Sequence, residues 1–162
     1  MRALDFNHLI KAPPGIIFVP FLPEHTRHLK VEQKDVTAFG PNDITDMLSW
    51  QARQGRAITV LKHGKPIGIW GSVDIWDGVE EAWFVTEELT RQYAVSMTKV
   101  AKLFLSLRFQ EASLHRLQIT VRCDDKRAER WAKCLGFHTE GTMKGFGPDG
   151  ADFYMMAITK EK

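Results

Sequence analysis

The chain has 162 residues, of which 44% are hydrophobic and 26% charged, a composition typical of globular proteins and unlike disordered, collagen-like or coiled-coil chains. Its 22 Lys and Arg against 20 Asp and Glu leave a net charge of +2, so nucleic-acid binding, which usually needs a strongly basic surface, is not expected. No segment approaches the roughly 20 apolar residues of a transmembrane helix, and the first residues lack the apolar core of a signal peptide. We therefore expect a single domain over residues 1–162, in the cytoplasm and not at a membrane.

The first third of the chain predicts one strand and two helices. A short β-rich run at 16–19 lies between turn-forming prolines and glycine, which indicates a strand. A weak helical pattern follows at 24–33. A clearer helix begins at the start signals of 41–43 and ends at Gly55.

The middle of the chain predicts three consecutive antiparallel strands, at 57–61, 67–73 and 81–86. The sequence His63-Gly64-Lys65-Pro66 between the first two strands is typical of a tight β-hairpin turn.

The second half alternates helices and strands. A strong helix is predicted at 95–107, with four apolar residues on one face: Val100, Leu103, Phe104 and Leu107. The remaining elements are a strand at 115–123, a helix at 125–135 that ends at Gly136, and strands at 137–143 and 152–159.

A helix between the strands at 81–86 and 115–123 requires a parallel crossover connection. The expected fold is therefore α+β, with a central mixed sheet of about six to seven strands, a parallel pair in its middle, and about four flanking helices. In such sheets, ligands tend to bind beyond the carboxyl ends of strands near a break in the topology.

The segment from 125 to 137 resembles the GNAT family of acyl-CoA N-acyltransferases, whose pattern is Asn-x-x-Ala-x-x-(Leu/Phe)-Tyr-x-x-x-Gly-Phe. The residues that fit are Ala128, Trp131, Leu135, Gly136 and Phe137, whereas Asp125 replaces Asn and Ala132 replaces Tyr. The order of elements also agrees with the family from 16 to 159. A narrower resemblance, through Ala82-Trp83-Phe84-Val85-Thr86, is to short acetyltransferase-like proteins of tailed phages, and it implies a location in the host cytoplasm or the virion.

The resemblance implies that acetyl-CoA binds as the cosubstrate. GNAT proteins hold its pyrophosphate with (Arg/Gln)-x-x-Gly-x-(Gly/Ala) at a helix N-terminus, where free N–H groups and the helix dipole favour an anion. The corresponding residues are Arg91, Gln92, Tyr93, Ala94, Val95 and Ser96. If the loop needs a positive φ at Ala94, the Cβ costs about 1–2 kcal/mol and weakens binding. The alternative for Arg91 and Ser96 is an ordinary solvated helix start.

The strand before this loop is expected to pair its main chain with the pantetheine arm of the cofactor. Its residues are Trp83, Phe84, Val85 and Thr86, and the resemblance adds Asp125, Ala128 and Trp131 of the later helix to the cofactor site. For Trp83 and Phe84, the alternative role is packing in the core.

Acyl transfer to an amine requires the neutral amine, so a general base is useful. The family places a Glu on or beside the fourth strand, and the candidates are Glu81 and Glu80. Adjacent strand residues face opposite ways, so at most one enters the cleft, and we favour Glu81; both could instead be solvated carboxylates. Because Ala132 replaces the Tyr that usually acts as the acid, Tyr154 is the nearest substitute, with strand packing as its alternative role.

Two functions are compatible with these residues. The first is an acetyl-CoA-dependent N-acetyltransferase acting on an amine of a small molecule or a protein. The second is a GNAT-fold protein that has lost catalysis and binds a protein partner, as a viral structural component or a host-directed effector. The changes at Ala94 and Ala132 motivate the second. A zinc site is not expected, because Cys123 and Cys134 have no second pair of ligands at suitable spacing.

Overall fold

The computed structural model describes residues 7, 12–31, 43–87, 92–111 and 114–160. Within these residues the strands are β1 (Ile16–Pro20), β2 (Gly55–Lys62), β3 (Lys65–Trp76), β4 (Val79–Thr86), β5 (Arg116–Arg122), β6 (His138–Met143) and β7 (Phe153–Thr159). The helices are α1 (Glu24–Arg27), α2 (Ile44–Gln54), α3 (Ala94–Glu111) and α4 (Lys126–Leu135). No helix in these ranges is long and apolar enough to cross a membrane.

The strands form one mixed sheet in the order β1-β2-β3-β4-β5-β7-β6. Only β4 and β5 pair in parallel among these neighbours, which confirms the predicted parallel pair in the middle of the sheet. The predicted hairpin between β2 and β3 is also confirmed, and its turn places His63 and Gly64 at φ +47° and +79°.

Helix α1 is shorter than the predicted helix at 24–33, because the chain leaves the helical conformation after Arg27. Leu29 turns into the core at 7% exposure, and Val31 forms an isolated antiparallel bridge with Glu87. This extended pairing competes with continuation of the helix. Residues 32 and 33 lie outside the described ranges.

Helix α2 has the predicted extent. The Asp43 carboxylate accepts a hydrogen bond from the Thr45 backbone N–H at 2.7 Å and caps the helix. The helix ends at Gly55, where any Cβ would overlap the backbone carbonyl of Ser72 on the neighbouring strand. Glycine therefore allows β2 to follow the helix immediately and to approach β3 closely.

Helices α3 and α4 cover one face of the sheet, and α1 and α2 cover the other. Helix α3 buries a stripe that shares only Val100 with the predicted one. Its most buried residues are Met97, Val100, Ala101, Leu105, Arg108 and Phe109. Leu103, Phe104 and Leu107 are only half-buried, since the helix packs between the sheet and α4, a neighbour that its own periodicity does not specify.

Strands β4 and β5 pair over only three positions, Val79 with Arg116, Glu80 with Leu117, and Glu81 with Gln118. Beyond these pairs β4 continues along β3, and β5 continues along β7. Each strand is held by its outer neighbour, so the two separate towards their carboxyl ends and open a cleft in the middle of the sheet.

Candidate active site

The cleft between the separated halves of β4 and β5 encloses about 530 Å³. Helix α2 borders it on one face of the sheet, and α3 and α4 border it on the other. The loop between β6 and β7 contributes a further wall through Phe146, Gly147 and Pro148. This is the position, beyond the carboxyl ends of strands at a topological break, that the sequence predicted for a ligand.

Glu81 lines the cleft where the two strands part. Gln118 donates a hydrogen bond from Nε2 to Glu81 Oε2 at 3.1 Å, and Arg116 donates from Nε to Gln118 Oε1 at 2.9 Å. Arg116 in turn holds both carboxylate oxygens of Glu140, at 2.9 and 2.6 Å. Because Arg116 can only donate, the Gln118 amide must direct its NH₂ group towards Glu81. This chain of four side chains orients the carboxylate at the head of the cleft.

Glu80 occupies the opposite face of β4, where it is 2% exposed and does not line the cleft. Arg108 donates from Nε to Glu80 Oε2 at 3.2 Å and from Nη2 to Oε1. Burial raises the pKa of Glu80, but the hydrogen bonds and charge of Arg108, with the charge of Arg56, outweigh it and hold the pKa below its ordinary value. The structure thus separates the two candidate bases, with Glu81 at the cleft and Glu80 inside a buried ion pair.

Aromatic side chains from β4 reach the cleft on both faces of the sheet. Trp83 packs on the α2 side, against the cluster that contains Leu48. Phe84 points to the α4 side, where its ring centroid lies 4.9 Å from that of Trp131 and 5.2 Å from that of Trp70. Both side chains therefore pack against neighbours and also line the cleft, whereas their part in binding a cofactor stays a prediction.

The other two residues predicted on this strand lie away from the cleft. Val85 is fully buried on the α2 side, and Thr86 is half-buried beside Gly68 of β3. From Ala82 to Thr86, β4 pairs with β3 and has no partner in β5. Its main chain on the cleft side is thus unpaired by strands in the described ranges.

Helix α4 places Asp125, Ala128 and Trp131 along the cleft. Asp125 caps the helix by accepting a hydrogen bond from the Ala128 backbone N–H at 2.9 Å. Trp131 donates from Nε1 to Thr98 Oγ1 at 2.9 Å, which ties α4 to the first turns of α3. Asp125 therefore caps α4 from the position where the family pattern has Asn.

The start of α3 carries the predicted pyrophosphate residues, except Arg91, which lies outside the described ranges. The residues that are described are Gln92, Tyr93, Ala94, Val95 and Ser96, and none of them lines the cleft. Ala94 is the first residue of the helix, and in the described chain His63 is the one non-glycine residue with positive φ. The condition for strain at Ala94, a positive φ, is therefore not met, because this position adopts the ordinary right-handed conformation.

Neither of the chain's two tyrosines lines the cleft. Tyr154 pairs with Val121 in the sheet, and Lys126 Nζ lies 3.4 Å from its hydroxyl and 5.3 Å from its ring centroid. Ala132 does line the cleft and is 2% exposed. At the position where the family pattern has a tyrosine, this cleft therefore presents a methyl group.

Sequence reasoning did not predict Gln51 and Phe146, which line the cleft, or Gln118, which holds Glu81 at its head. Gln118 follows the strand alternation, but its pairing with Glu81 depends on the parallel register. Gln51 lies on α2 and Phe146 in the β6–β7 loop, distant in sequence from every motif that was recognised. In the sequence, Gln51 is only a polar residue on a helix and Phe146 only an aromatic residue in a glycine-rich turn, and neither feature by itself indicates a binding site.

The chain is similar in structure to known acetyltransferases. Ard1 from Thermoplasma volcanium superposes with a TM-score of 0.75 at 18% identity, over 91% of this chain and 99% of that one. An acetyltransferase of the GNAT family from Bacillus anthracis gives 0.72 at 18% identity, over 94% and 99%. Spermidine N-acetyltransferase from Vibrio cholerae, solved in complex with CoA and spermine, gives 0.70 at 15% identity, over 91% and 96%.

Comparison with family models and with curated proteins produced no match. At 15 to 18% identity, the structural similarity concerns the fold. The seven-stranded mixed sheet, its single parallel pair and the helices on both faces agree with the expectation drawn from the sequence. The chain thus has the fold of the GNAT acyl-CoA N-acyltransferases.

Proposed function

We propose that the chain is an N-acetyltransferase that moves an acetyl group from acetyl-CoA to an amine of a small molecule or a protein. The observation that carries this proposal is Glu81, oriented by Gln118 at the point where β4 and β5 separate. A carboxylate at the head of an enclosed cleft is suited to accept a proton from an attacking amine.

The donor half of the site would lie on the face covered by α3 and α4. The cleft-side main chain of β4 would pair with the pantetheine amides, in the manner of an added strand. The pyrophosphate would bind at the N-terminus of α3, through Arg91 and the backbone N–H groups of 92–96. Two observations support this end of the helix as an anion site. Its first turn carries no acidic residue. In addition, Lys62 Nζ lies 3.8 Å from the ring centroid of Tyr93, the residue before the helix, which places a positive charge nearby.

In the proposed reaction, the amine nitrogen attacks the thioester carbonyl and Glu81 takes its proton. A C–N bond forms, the C–S bond breaks, and CoA leaves as a thiolate. A thiolate is a sufficiently good leaving group to depart without a protein acid, and it can take its proton from water. The methyl group of Ala132 in place of a tyrosine is compatible with this route.

The alternative is a chain that binds CoA, or a protein partner, without catalysis. Ala132, buried at 2% exposure in the cleft wall, is the observation that favours it, because the family pattern places a potential acid there. The narrower resemblance to short phage proteins, with location in host cytoplasm or virion, also stays a prediction, as does cytoplasmic location in general.

Calorimetry with acetyl-CoA, followed by a thiol-release assay with a panel of amines, tests the proposal. We expect micromolar to submillimolar affinity. Arg91→Ala should weaken it by roughly 1–3 kcal/mol, as for a hydrogen bond to a charged group, whereas Arg53→Ala, an exposed arginine on α2, should not. Binding without thiol release from any amine would favour the alternative, and no binding at millimolar acetyl-CoA would overturn both CoA-dependent functions.

A further inference from the structure

We infer that the acceptor is a small monoamine attached to an apolar, preferably aromatic, body, held on the α2 side of the cleft by Trp83 and Phe146. This inference rests on the proposed function and names its acceptor class. Both aromatic residues line the same cavity as Glu81.

The first wall of this subsite comes from β4 and α2. Trp83 lies on the same face of β4 as Glu81, since the two are separated by one residue. Its indole extends across Gly71 of the neighbouring strand, so closely that a Cβ at this glycine would overlap ring carbons Cζ2 and Cε2. Met47 of α2 adds a second apolar side chain to the wall. The wall therefore presents a flat, apolar surface in a fixed position.

The second wall comes from the β6–β7 loop on the same face of the sheet. Phe153 is the cross-strand partner of Arg122, and Arg122 shares the face of β5 with Gln118, the partner of Glu81. Phe146 stacks edge-on against Phe153 with centroids 5.5 Å apart, yet remains 56% exposed. Its uncovered ring surface is available to an apolar ligand at the rim of the cleft.

The loop that carries Phe146 is internally braced. The Gly147 backbone N–H donates to the Ala151 carbonyl at 2.9 Å, and the Gly150 N–H donates to the Gly147 carbonyl at 2.8 Å. Asp152 accepts from the Gly145 backbone N–H at 2.9 Å, and Asp149 accepts from Arg122 Nη1 at 2.9 Å. Phe146 thus stands on a turn with a defined conformation, which reduces the entropy lost when a ligand packs against it.

The charges of the cleft argue against a polyamine. Among the described lining residues the carboxylates are Glu81 and Asp125, and Asp125 already caps α4. Arg122 also lines the cleft, but Asp124 and Asp149 pair with its guanidinium at 3.0 and 2.9 Å, so neither its charge nor theirs is available to a ligand. One available carboxylate matches one ammonium, and the described lining residues offer no second unengaged carboxylate for a further one.

Among the described residues that line the cleft on the α2 side, two have a buried polar atom without a hydrogen-bond partner, Gln51 Oε1 and Trp83 Nε1. Gln51 Oε1 can only accept, so the group that completes it must be a donor. The N–H group of an amine is such a donor, and Gln51 lines the same cavity as Glu81.

Calorimetry of three amines, with and without saturating CoA, tests this inference without requiring turnover. We expect 2-phenylethylamine to bind at least about tenfold more tightly than ethylamine or spermidine, because only it combines one ammonium with an aromatic body. Phe146→Ala should weaken the binding of 2-phenylethylamine at least about fivefold. Phe146→Leu, which keeps a large apolar side chain, should weaken it less. The matched control is Trp76→Ala, an aromatic residue 75% exposed on the β3–β4 hairpin, which should change nothing.

Tightest binding of spermidine, or equal loss for Phe146→Ala and Trp76→Ala, would overturn the inference. Either result would leave the proposed function intact provided acetyl-CoA still binds. Conversely, absence of acetyl-CoA binding would overturn the proposed function, while the amine titrations would still decide whether the subsite exists. Thermal melts of Phe146→Ala should match wild type, which separates a lost contact from a lost fold.

Discussion

Gln118 and Glu81 form the last residue pair of the parallel β4–β5 ladder, and their side chains are joined by a hydrogen bond of 3.1 Å. The position where the strands part is thus the position where a carboxylate is oriented. Gln118 receives its own orientation from Arg116 at 2.9 Å, so the arrangement is set from within the sheet. This relationship makes Glu81 the residue whose substitution is most informative.

Glu81→Gln should lower acetyl transfer by about 10²–10⁴-fold at neutral pH, the usual range for loss of a general base. The deficit should shrink as the pH rises, because the amine then loses its proton without help. Steady-state rates between pH 6 and 10 measure both effects, with CoA affinity followed by calorimetry and expected to stay constant.

The matched control for this experiment is Glu129→Gln, which alters a carboxylate paired with Lys126 and Lys133 on α4. Equal rates for wild type and Glu81→Gln over the whole pH range would show that Glu81 is not the base.

Gln118→Leu should lower kcat by roughly tenfold and leave the KM for acetyl-CoA nearly unchanged. The substitution removes a hydrogen bond to a charged group, which is worth about 1.5–3 kcal/mol. Gln110→Leu, an exposed glutamine on α3, is the control. A raised KM with unchanged kcat would instead indicate that Gln118 supports cofactor binding rather than the orientation of Glu81.

Glu80→Gln should destabilise the fold by about 3–5 kcal/mol, because it leaves the Arg108 guanidinium buried without its counter-charge. The double variant Glu80→Leu/Arg108→Met should recover most of this loss. Urea unfolding at pH 7 measures the three stabilities. A double variant as unstable as the single one would show that packing, rather than charge, sets the cost.

The same pair should make stability depend on pH. The pKa of Glu80 is lower in the folded chain than its ordinary value of 4.5, so its contribution is present above that value. The contribution disappears as the pH falls through the lowered pKa and the carboxylate is protonated. Between pH 7 and pH 3, wild type should therefore lose more stability than the double variant; parallel losses would contradict the assignment.

Ala94→Gly should leave acetyl-CoA affinity unchanged and lower stability by about 0.5–1 kcal/mol. The residue begins α3 in a right-handed conformation, so glycine relieves no strain and only adds freedom to the unfolded chain. Calorimetry and thermal melts measure the two effects. Tighter binding by Ala94→Gly would show that cofactor binding demands a different backbone at this position.

Local patterns in the sequence predicted nearly all elements of the fold, because their signals lie within a few residues of each other. Asp43 and Gly55 bound α2, Gly136 ends α4 in the left-handed conformation, and His63-Gly64 forms the hairpin turn. The helix at 24–33 was overestimated, because a tertiary bridge between Val31 and Glu87 overrides a weak local preference.

Alternation along β4 was also sufficient to predict that Glu80 and Glu81 face opposite ways. The role of each carboxylate depends on the tertiary structure, because its partner is distant in sequence. Arg108, the partner of Glu80, is 28 residues away, and Gln118, the partner of Glu81, is 37 residues away. The cleft itself arises because β4 stays paired with β3 and β5 stays paired with β7 after the two strands part. Local sequence patterns do not specify these long-range pairings. The sequence alone therefore determined the order of elements and the facing of side chains, whereas long-range packing decided that Arg108 neutralises Glu80 and that Glu81, Trp83 and Phe146 share one cavity.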